Sequence, residues 1–288
     1  MNTAKEDMTR PYRSVLYIPG ANERALEKAR GLAADAIIFD LEDAVAPDEK
    51  SRARQILSDT LRSADYGRRA RIVRINAPDT EWGHDDMAAF AGLGVEAILI
   101  PKVGSAADVE RVARHIPQTP LWAMMESPAG MLNAAEIAGH PRLAGMVMGT
   151  NDLAKDLGAR FRADRLPMMT GLQLCLLAAR MHGQVIVDGV YNAFKDDDGL
   201  RAECEQGRDL GFDGKTLIHP AQIEIANAVF APGEAEVALA RRQIEAFEAA
   251  VAEGKGVAVV DGRIVENLHV ATARKTLARA AAIAEMAG

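Results

Sequence analysis

The chain predicts a TIM-type (β/α)₈ barrel of the α/β class with a C-terminal helical extension. Three observations carry this. Short continuous apolar runs recur along the sequence, as suits parallel strands buried on both faces. Successive runs start roughly 20–40 residues apart, the length of a βα unit. The segments between them have helical spacing, and nearly every run ends in polar or Gly/Pro residues. A doubly wound open sheet is the rival. Against it, Pro19-Gly20-Ala21-Asn22 after the first run lacks the glycine spacing of a dinucleotide fingerprint.

The runs are Ser14–Ile18, Ala36–Asp40, Arg71–Ile75, Ala97–Ile100, Leu121–Met125, Met146–Gly149, Val185–Val187 and Thr216–Ile218. Between them, Asn22–Ala34 has apolar spacing and good helix formers. Ser105–Ile116 opens on a serine suited to an N-cap and sets Val109 and Val112 on one face. Pro128–Ala138 is Ala-rich, with proline where a first helical turn accepts it. Gly199–Leu210 follows the acidic loop Asp196-Asp197-Asp198. After Pro232-Gly233 the texture changes to a long amphipathic helix, Glu234–Glu253. A strand-like Val257–Val260, the turn Asp261-Gly262 and an Ala-rich helix from about His269 follow. The expected division is a barrel domain over residues 1–231 and a helix-and-lid segment over residues 232–288, too short to form a domain alone.

Composition bounds the function. A length of 288 residues with 26% charged residues is that of an ordinary soluble globular protein with room for a large core. A net charge of −7 argues against nucleic acid or an anionic membrane as partner. No apolar run is long enough to span a bilayer, and Met1–Asp7 lacks a secretory h-region. Two cysteines, Cys175 and Cys204, fit a reducing cytoplasm, and Cys175 reads as core rather than nucleophile.

A barrel's active site lies at the C-terminal ends of its strands. Those ends carry Tyr17, Asp40 with Glu42 and Asp43, Arg74 and Asn76, Lys102, Glu126, Asp152, Asp188 and His219. Glu126 and Asp152 close successive strands, and two carboxylates so placed suit a hard cation. Mg²⁺ is held by one or two carboxylates plus water and substrate oxygens. The structural alternative is that either acid caps the helix after it. Asp40, Glu42 and Asp43 would orient metal-bound waters or anchor loops. A buried Arg74 needs an anion: a substrate carboxylate, or Asp40 or Glu42. His219 reads as structural, and Asp188 is left open. So many carboxylates are costly unless cations offset them, which one divalent metal with Arg74 and Lys102 would do. There is no serine or thiol nucleophile motif, no Cys/His zinc spacing and no Gly-rich phosphate loop. A Schiff base on Lys102 would require a depressed pKa, which the surrounding acids oppose.

At these positions the sequence resembles the HpcH/HpaI aldolase and citrate lyase β-subunit family. The matching stretches are Arg13–Gly20, Asp40–Val45, Val73–Asn76, Met125–Gly130, Asn151–Leu153 and Gly214–Pro220, in family order across about residues 12–230. The resemblance implies a TIM barrel with Mg²⁺, or Mn²⁺ in its place, on Glu126 and Asp152. It places Arg74 at the carboxylate or carbonyl end of the substrate, with Asn151 and Asp152 also in contact. In the members that act on CoA esters, residues matching Tyr17 and Arg24 contact coenzyme A. The partners so implied are a CoA thioester and a 2-oxo acid. The assembly is a homotrimer or hexamer whose C-terminal lid reaches a neighbouring site.

The expected reaction is reversible carbon–carbon cleavage of a 3-hydroxy-3-carboxyacyl-CoA such as malyl-CoA, methylmalyl-CoA or citramalyl-CoA. It yields an acyl-CoA and glyoxylate, pyruvate or oxaloacetate. Arg74 would stabilise developing charge, Glu266 would transfer the proton to the enolate, and Asp40 or Glu42 would orient a metal-bound water. One departure stands out: the acyl-CoA lyases that resemble this chain carry an aspartate where Glu266 follows Gly262-Arg263-Ile264-Val265. The alternatives are the β subunit of a citrate lyase complex acting on a citryl thioester, a malyl-CoA thioesterase, and a non-catalytic binding protein on an inactive barrel.

Overall fold

The computed structural model describes residues 10–287. It divides into two compact units: residues 12–230, and residues 10–11 together with residues 231–287.

In the first unit, eight parallel strands close on themselves in sequence order. They are β1 (Ser14–Pro19), β2 (Ala36–Asp40), β3 (Ala70–Arg74), β4 (Ala97–Ile100), β5 (Leu121–Met125), β6 (Leu143–Met148), β7 (Val185–Asp188) and β8 (Gly214–Leu217). β8 pairs back onto β1 through Val15 and Thr216. The helices are α1 (Glu23–Ala29), α2 (Lys50–Ser63), α3 (Glu81–Phe90), α4 (Ala106–His115), α5 (Pro128–Leu132), α6 (Ala134–Ala138), α7 (Thr150–Asp156), α8 (Met169–Met181), α9 (Asp197–Leu210) and α10 (Ile223–Phe230).

Period-two alternation sorts the strand residues into two layers. Val15, Ile38, Ile72, Leu99, Trp122, Val147 and Val187 fill the barrel interior. Their neighbours Leu16, Ile37, Phe39, Val73, Ile98 and Ile186 pack outward into the layer beneath the helices. Two residues beyond an inward Val15, Ile38 and Ile72 come Tyr17, Asp40 and Arg74; two beyond Met124 comes Glu126. The parity that builds the core therefore aims these polar side chains into the barrel mouth.

Capping fixes the helix boundaries. The Asn22 side chain accepts the Ala25 N–H, so α1 starts at Glu23; it ends at Ala29, short of the Ala34 expected. Ser105 and Asp108 form a capping box that starts α4. Asp196 accepts from Gly199, starting α9 two residues earlier than expected, and Gly211 ends it at φ 107°. The continuous helix expected over Pro128–Ala138 is instead α5 and α6. Asn133 leaves the helical region (φ −98°, ψ 12°), and its amide donates 2.7 Å to the Gly104 carbonyl.

In the second unit, α11 (Glu234–Ala252) and α12 (Asn267–Ala287) flank a hairpin of β9 (Ala258–Val260) and β10 (Arg263–Val265). Asp261 and Gly262, at φ 48° and 75°, make the tight turn. Ala250, Ala258, Val260, Val265 and Val270 form its small core. Among the described residues no helix is long and apolar enough to cross a membrane.

Candidate active site

At the C-terminal end of the barrel strands opens a cavity of about 390 Å³. Tyr17, Asp40, Asp43, Arg74, Glu126, Asn151 and Asp152 all stand on its wall, with Met124 and Met148 as apolar lining. The strand ends thus bring together most of the residues singled out from the sequence.

Glu126 follows β5 and is 3% exposed. Oε1 accepts the Lys102 backbone N–H at 2.7 Å. Burial, then the nearby charge of Glu42, pushes its pKa up to about 7. The helix-cap alternative fails for this residue, because the Ser127 hydroxyl accepts the Gly130 N–H and caps α5. Asp152 lies in the first turn of α7, whose N-cap is Gly149. That glycine is required by proximity: a Cβ there would stand 2.3 Å from Glu126 Cβ and 2.7 Å from Oε2.

Arg74 is committed to protein carboxylates. Nε and Nη2 donate to Asp40 Oδ1 and Oδ2 at 2.7 and 2.6 Å, a bidentate fork. Nη1 stands 2.8 Å from Glu42 Oε2 and 3.4 Å from Asp43. Burial opposes the guanidinium charge, but the Asp40 bonds outweigh it and hold the pKa well above its usual value. The ion pair with Asp40, one of the partners open to Arg74, is formed. Asp40 also accepts the Glu42 and Ala44 N–H groups, closing the loop after β2.

Glu42 is buried, which raises its pKa despite Arg74 and Lys102. Oε1 takes the Lys102 ammonium at 2.9 Å, while Oε2 has no hydrogen bond because the Arg74 contact is poorly aligned. Burial also raises the Tyr17 pKa, so the phenol stays protonated; its ring lies 5.2 Å from the Arg74 guanidinium carbon. Asn151 exchanges amide hydrogen bonds with Asn192 at 2.7 and 3.3 Å.

Other candidates fall elsewhere. Arg24 is exposed on the first turn of α1, with no side-chain hydrogen bond or ion pair among the described residues. Asp188 is fully buried against Arg165 (2.6 Å) and Lys215 (3.3 Å). Burial works against its charge, yet those two cations hold its pKa below the usual range. His219 caps the turn at Pro220 through Nδ1 and stacks on Phe194, a structural role. Cys175 is buried core, as read. Glu266 follows β10 in the second unit, exposed, its N–H donating to His269 Nδ1 at 3.0 Å.

Gly149 and the Lys102 main chain escaped the sequence reading. The first depends on a contact between strands, and the second on a backbone direction that side-chain patterns do not report.

No group of three or more His, Cys, Asp or Glu stands at ligand spacing among the described residues. Of the four carboxylates on the cavity wall, Asp40 and Asp43 face Arg74, which leaves Glu126 and Asp152, the first of them buried without full compensation. That donor set fits a hard cation completed by water and substrate oxygens, rather than a closed protein cage.

The HpcH/HpaI aldolase/citrate lyase family profile matches residues 13–220. A (3S)-malyl-CoA thioesterase of Cereibacter sphaeroides is 74% identical over 95% of this chain and 96% of its own length. The citrate lyase subunit beta of Escherichia coli is 38% identical over 94% of each. CitE of Mycobacterium tuberculosis, solved with magnesium, acetoacetate and coenzyme A, superposes with a TM-score of 0.79. It is 33% identical, covering 95% of this chain and 98% of that one. With an eight-stranded barrel, a carboxylate-lined mouth and matches of this extent, the chain is an enzyme of the HpcH/HpaI aldolase/citrate lyase family.

Proposed function

We propose that this enzyme hydrolyses the thioester of a short hydroxy-dicarboxylyl-CoA of the malyl-CoA type, with Mg²⁺ at Glu126 and Asp152. The observation that carries the reading is the 74% identity to a (3S)-malyl-CoA thioesterase across 95% of the chain. The carbon–carbon cleavage expected from the sequence is supported by relatives only about half as similar, such as the citrate lyase subunit at 38%.

Water adds to the thioester carbonyl carbon, the carbon–sulfur bond breaks, and the sulfur leaves as thiolate. One proton passes from the water to that sulfur, giving free hydroxy diacid and CoA thiol. Bound Mg²⁺ would supply a Lewis acid to the acyl oxygens; magnesium in the CitE structure supports this. Arg74, held rigid by Asp40, presents positive charge where negative charge develops on the carbonyl oxygen. Asn151 orients the acyl end, and Asp40 and Glu42 fix the guanidinium. Tyr17, under Arg74, and Arg24, exposed and unpaired among the described residues, contact the CoA portion. Glu266 shuttles the proton; its support is its place after Gly262-Arg263-Ile264-Val265.

A homotrimer or hexamer belongs to the same proposal. Light scattering at the mass of one 30.9 kDa chain would remove it. The reaction is tested by incubating malyl-CoA with enzyme and Mg²⁺ and identifying products. Malate and CoA in equal amounts support hydrolysis; glyoxylate with acetyl-CoA would establish cleavage instead.

A further inference from the structure

Lys102 is one of three non-glycine residues at positive φ among the described residues, at 54°. L side chains rarely adopt that region. Here the conformation sends the residue's two polar groups to two different acids. The main-chain N–H donates to Glu126 Oε1 at 2.7 Å, and Nζ donates to Glu42 Oε1 at 2.9 Å. Neither Lys102 nor Glu42 lies on the cavity wall, but each touches residues that do, Glu126 and Arg74.

The ammonium has a charge to offset. Glu42 is 8% exposed, and its other oxygen lacks a hydrogen bond. Removing the ammonium would leave Arg74 shared among Asp40, Asp43 and Glu42, with a surplus of negative charge beside the cavity.

We infer that Lys102 is a positioning residue with two arms. Its main chain orients Glu126, and its ammonium offsets Glu42, so that the cavity admits an acyl group carrying a free carboxylate. This rests on the hydrolase reading above and extends it to the selection of an anionic acyl chain. The two arms act on different ligands. Loss of the ammonium alone makes the cavity more negative, which strengthens cation binding and weakens anion binding.

Lys102→Gly isolates the ammonium, because glycine keeps the N–H and accepts positive φ without strain. Lys102→Arg restores the charge. Three quantities are read: the Mg²⁺ dissociation constant by calorimetry without substrate, KM and kcat for malyl-CoA, and KM for a CoA thioester lacking the free carboxylate. With the side chain 54% exposed, solvent screening limits the effect. For Lys102→Gly, KM for malyl-CoA is expected to rise about fivefold and Mg²⁺ to bind at least as tightly. kcat should stay within about twofold, and the carboxylate-free thioester should be unaffected. Lys102→Arg should recover KM. An unmoved KM, a fall in kcat alone, or an equal loss for both thioesters would overturn the inference. Wild-type protein that fails to hydrolyse malyl-CoA would overturn the function itself. Hydrolysis by wild type with an unmoved KM in Lys102→Gly would overturn only the role of Lys102.

Discussion

Arg74 and Asp40 face each other across β2 and β3, Cα partners in register, joined by two hydrogen bonds of 2.6 and 2.7 Å. Both are almost fully buried, with side chains 7% and 3% exposed. The guanidinium reaches the cavity already immobilised. Orientation in this pair is therefore set by folding rather than by substrate.

Breaking that pair from one side should be severe. Arg74→Met leaves Asp40 buried without its cation, and such losses cost about 3–5 kcal/mol. Arg74→Lys keeps the charge but cannot form the fork. Thermal denaturation should rank wild type above Arg74→Lys and Arg74→Lys above Arg74→Met. The double change Asp40→Asn with Arg74→Met should recover part of the loss. Equal melting temperatures for all four proteins would show that the pair contributes nothing.

Glu126 titrates near 7 against 4.5 for an ordinary glutamate. With a raised pKa the native state holds its proton longer than the unfolded chain. Between pH 4.5 and 7 stability therefore falls as pH rises. Above pH 7 the metal-free protein carries the full cost of ionising this group, about 3 kcal/mol. Glu126→Gln should stabilise metal-free protein at pH 8 by up to that amount and have little effect at pH 4. Urea titrations at the two pH values check this; a destabilised variant at pH 8 would refute it.

In the proposed site, protons and Mg²⁺ compete for the Glu126 carboxylate. Apparent Mg²⁺ affinity should weaken as pH drops below about 7, by up to about tenfold per pH unit. Calorimetry at pH 8, 7 and 6 measures it, and affinity independent of pH would place the metal elsewhere.

Gly149 is the close contact that lets β6 pass behind Glu126. In Gly149→Ala the new methyl would meet Glu126 Cβ at 2.3 Å, so the carboxylate must move. Mg²⁺ affinity should fall at least tenfold with the fold retained by circular dichroism. Unchanged affinity would mean that Glu126 need not hold its present position.

The barrel was legible because strand parity and βα spacing are local properties of the chain. Parity also delivered Tyr17, Asp40, Arg74 and Glu126, each at the inward position beyond a core residue. Pairings across space were not legible. The choice of Asp40 as the partner of Arg74, the Asn151–Asn192 amide pair and the Lys102 main-chain bond to Glu126 depend on strand neighbours that sequence spacing leaves open. Asn133 broke an expected helix for a similar reason, since its amide partner lies on a different loop.

Glu266 is the proposed proton carrier. Glu266→Gln should lower turnover at least tenfold while leaving Mg²⁺ binding unchanged. Steady-state rates beside calorimetry test it, and undiminished turnover removes this side chain from the mechanism.

The central claim is that water, not a carbanion, takes part in bond breaking at this carboxylate-lined mouth. The direct measurement is mass spectrometry of malyl-CoA turned over with Mg²⁺ in ¹⁸O-labelled water. Hydrolysis predicts malate bearing one heavy oxygen in its new carboxylate, with one CoA released per malate. Glyoxylate accompanied by acetyl-CoA, and no labelled malate, would contradict it.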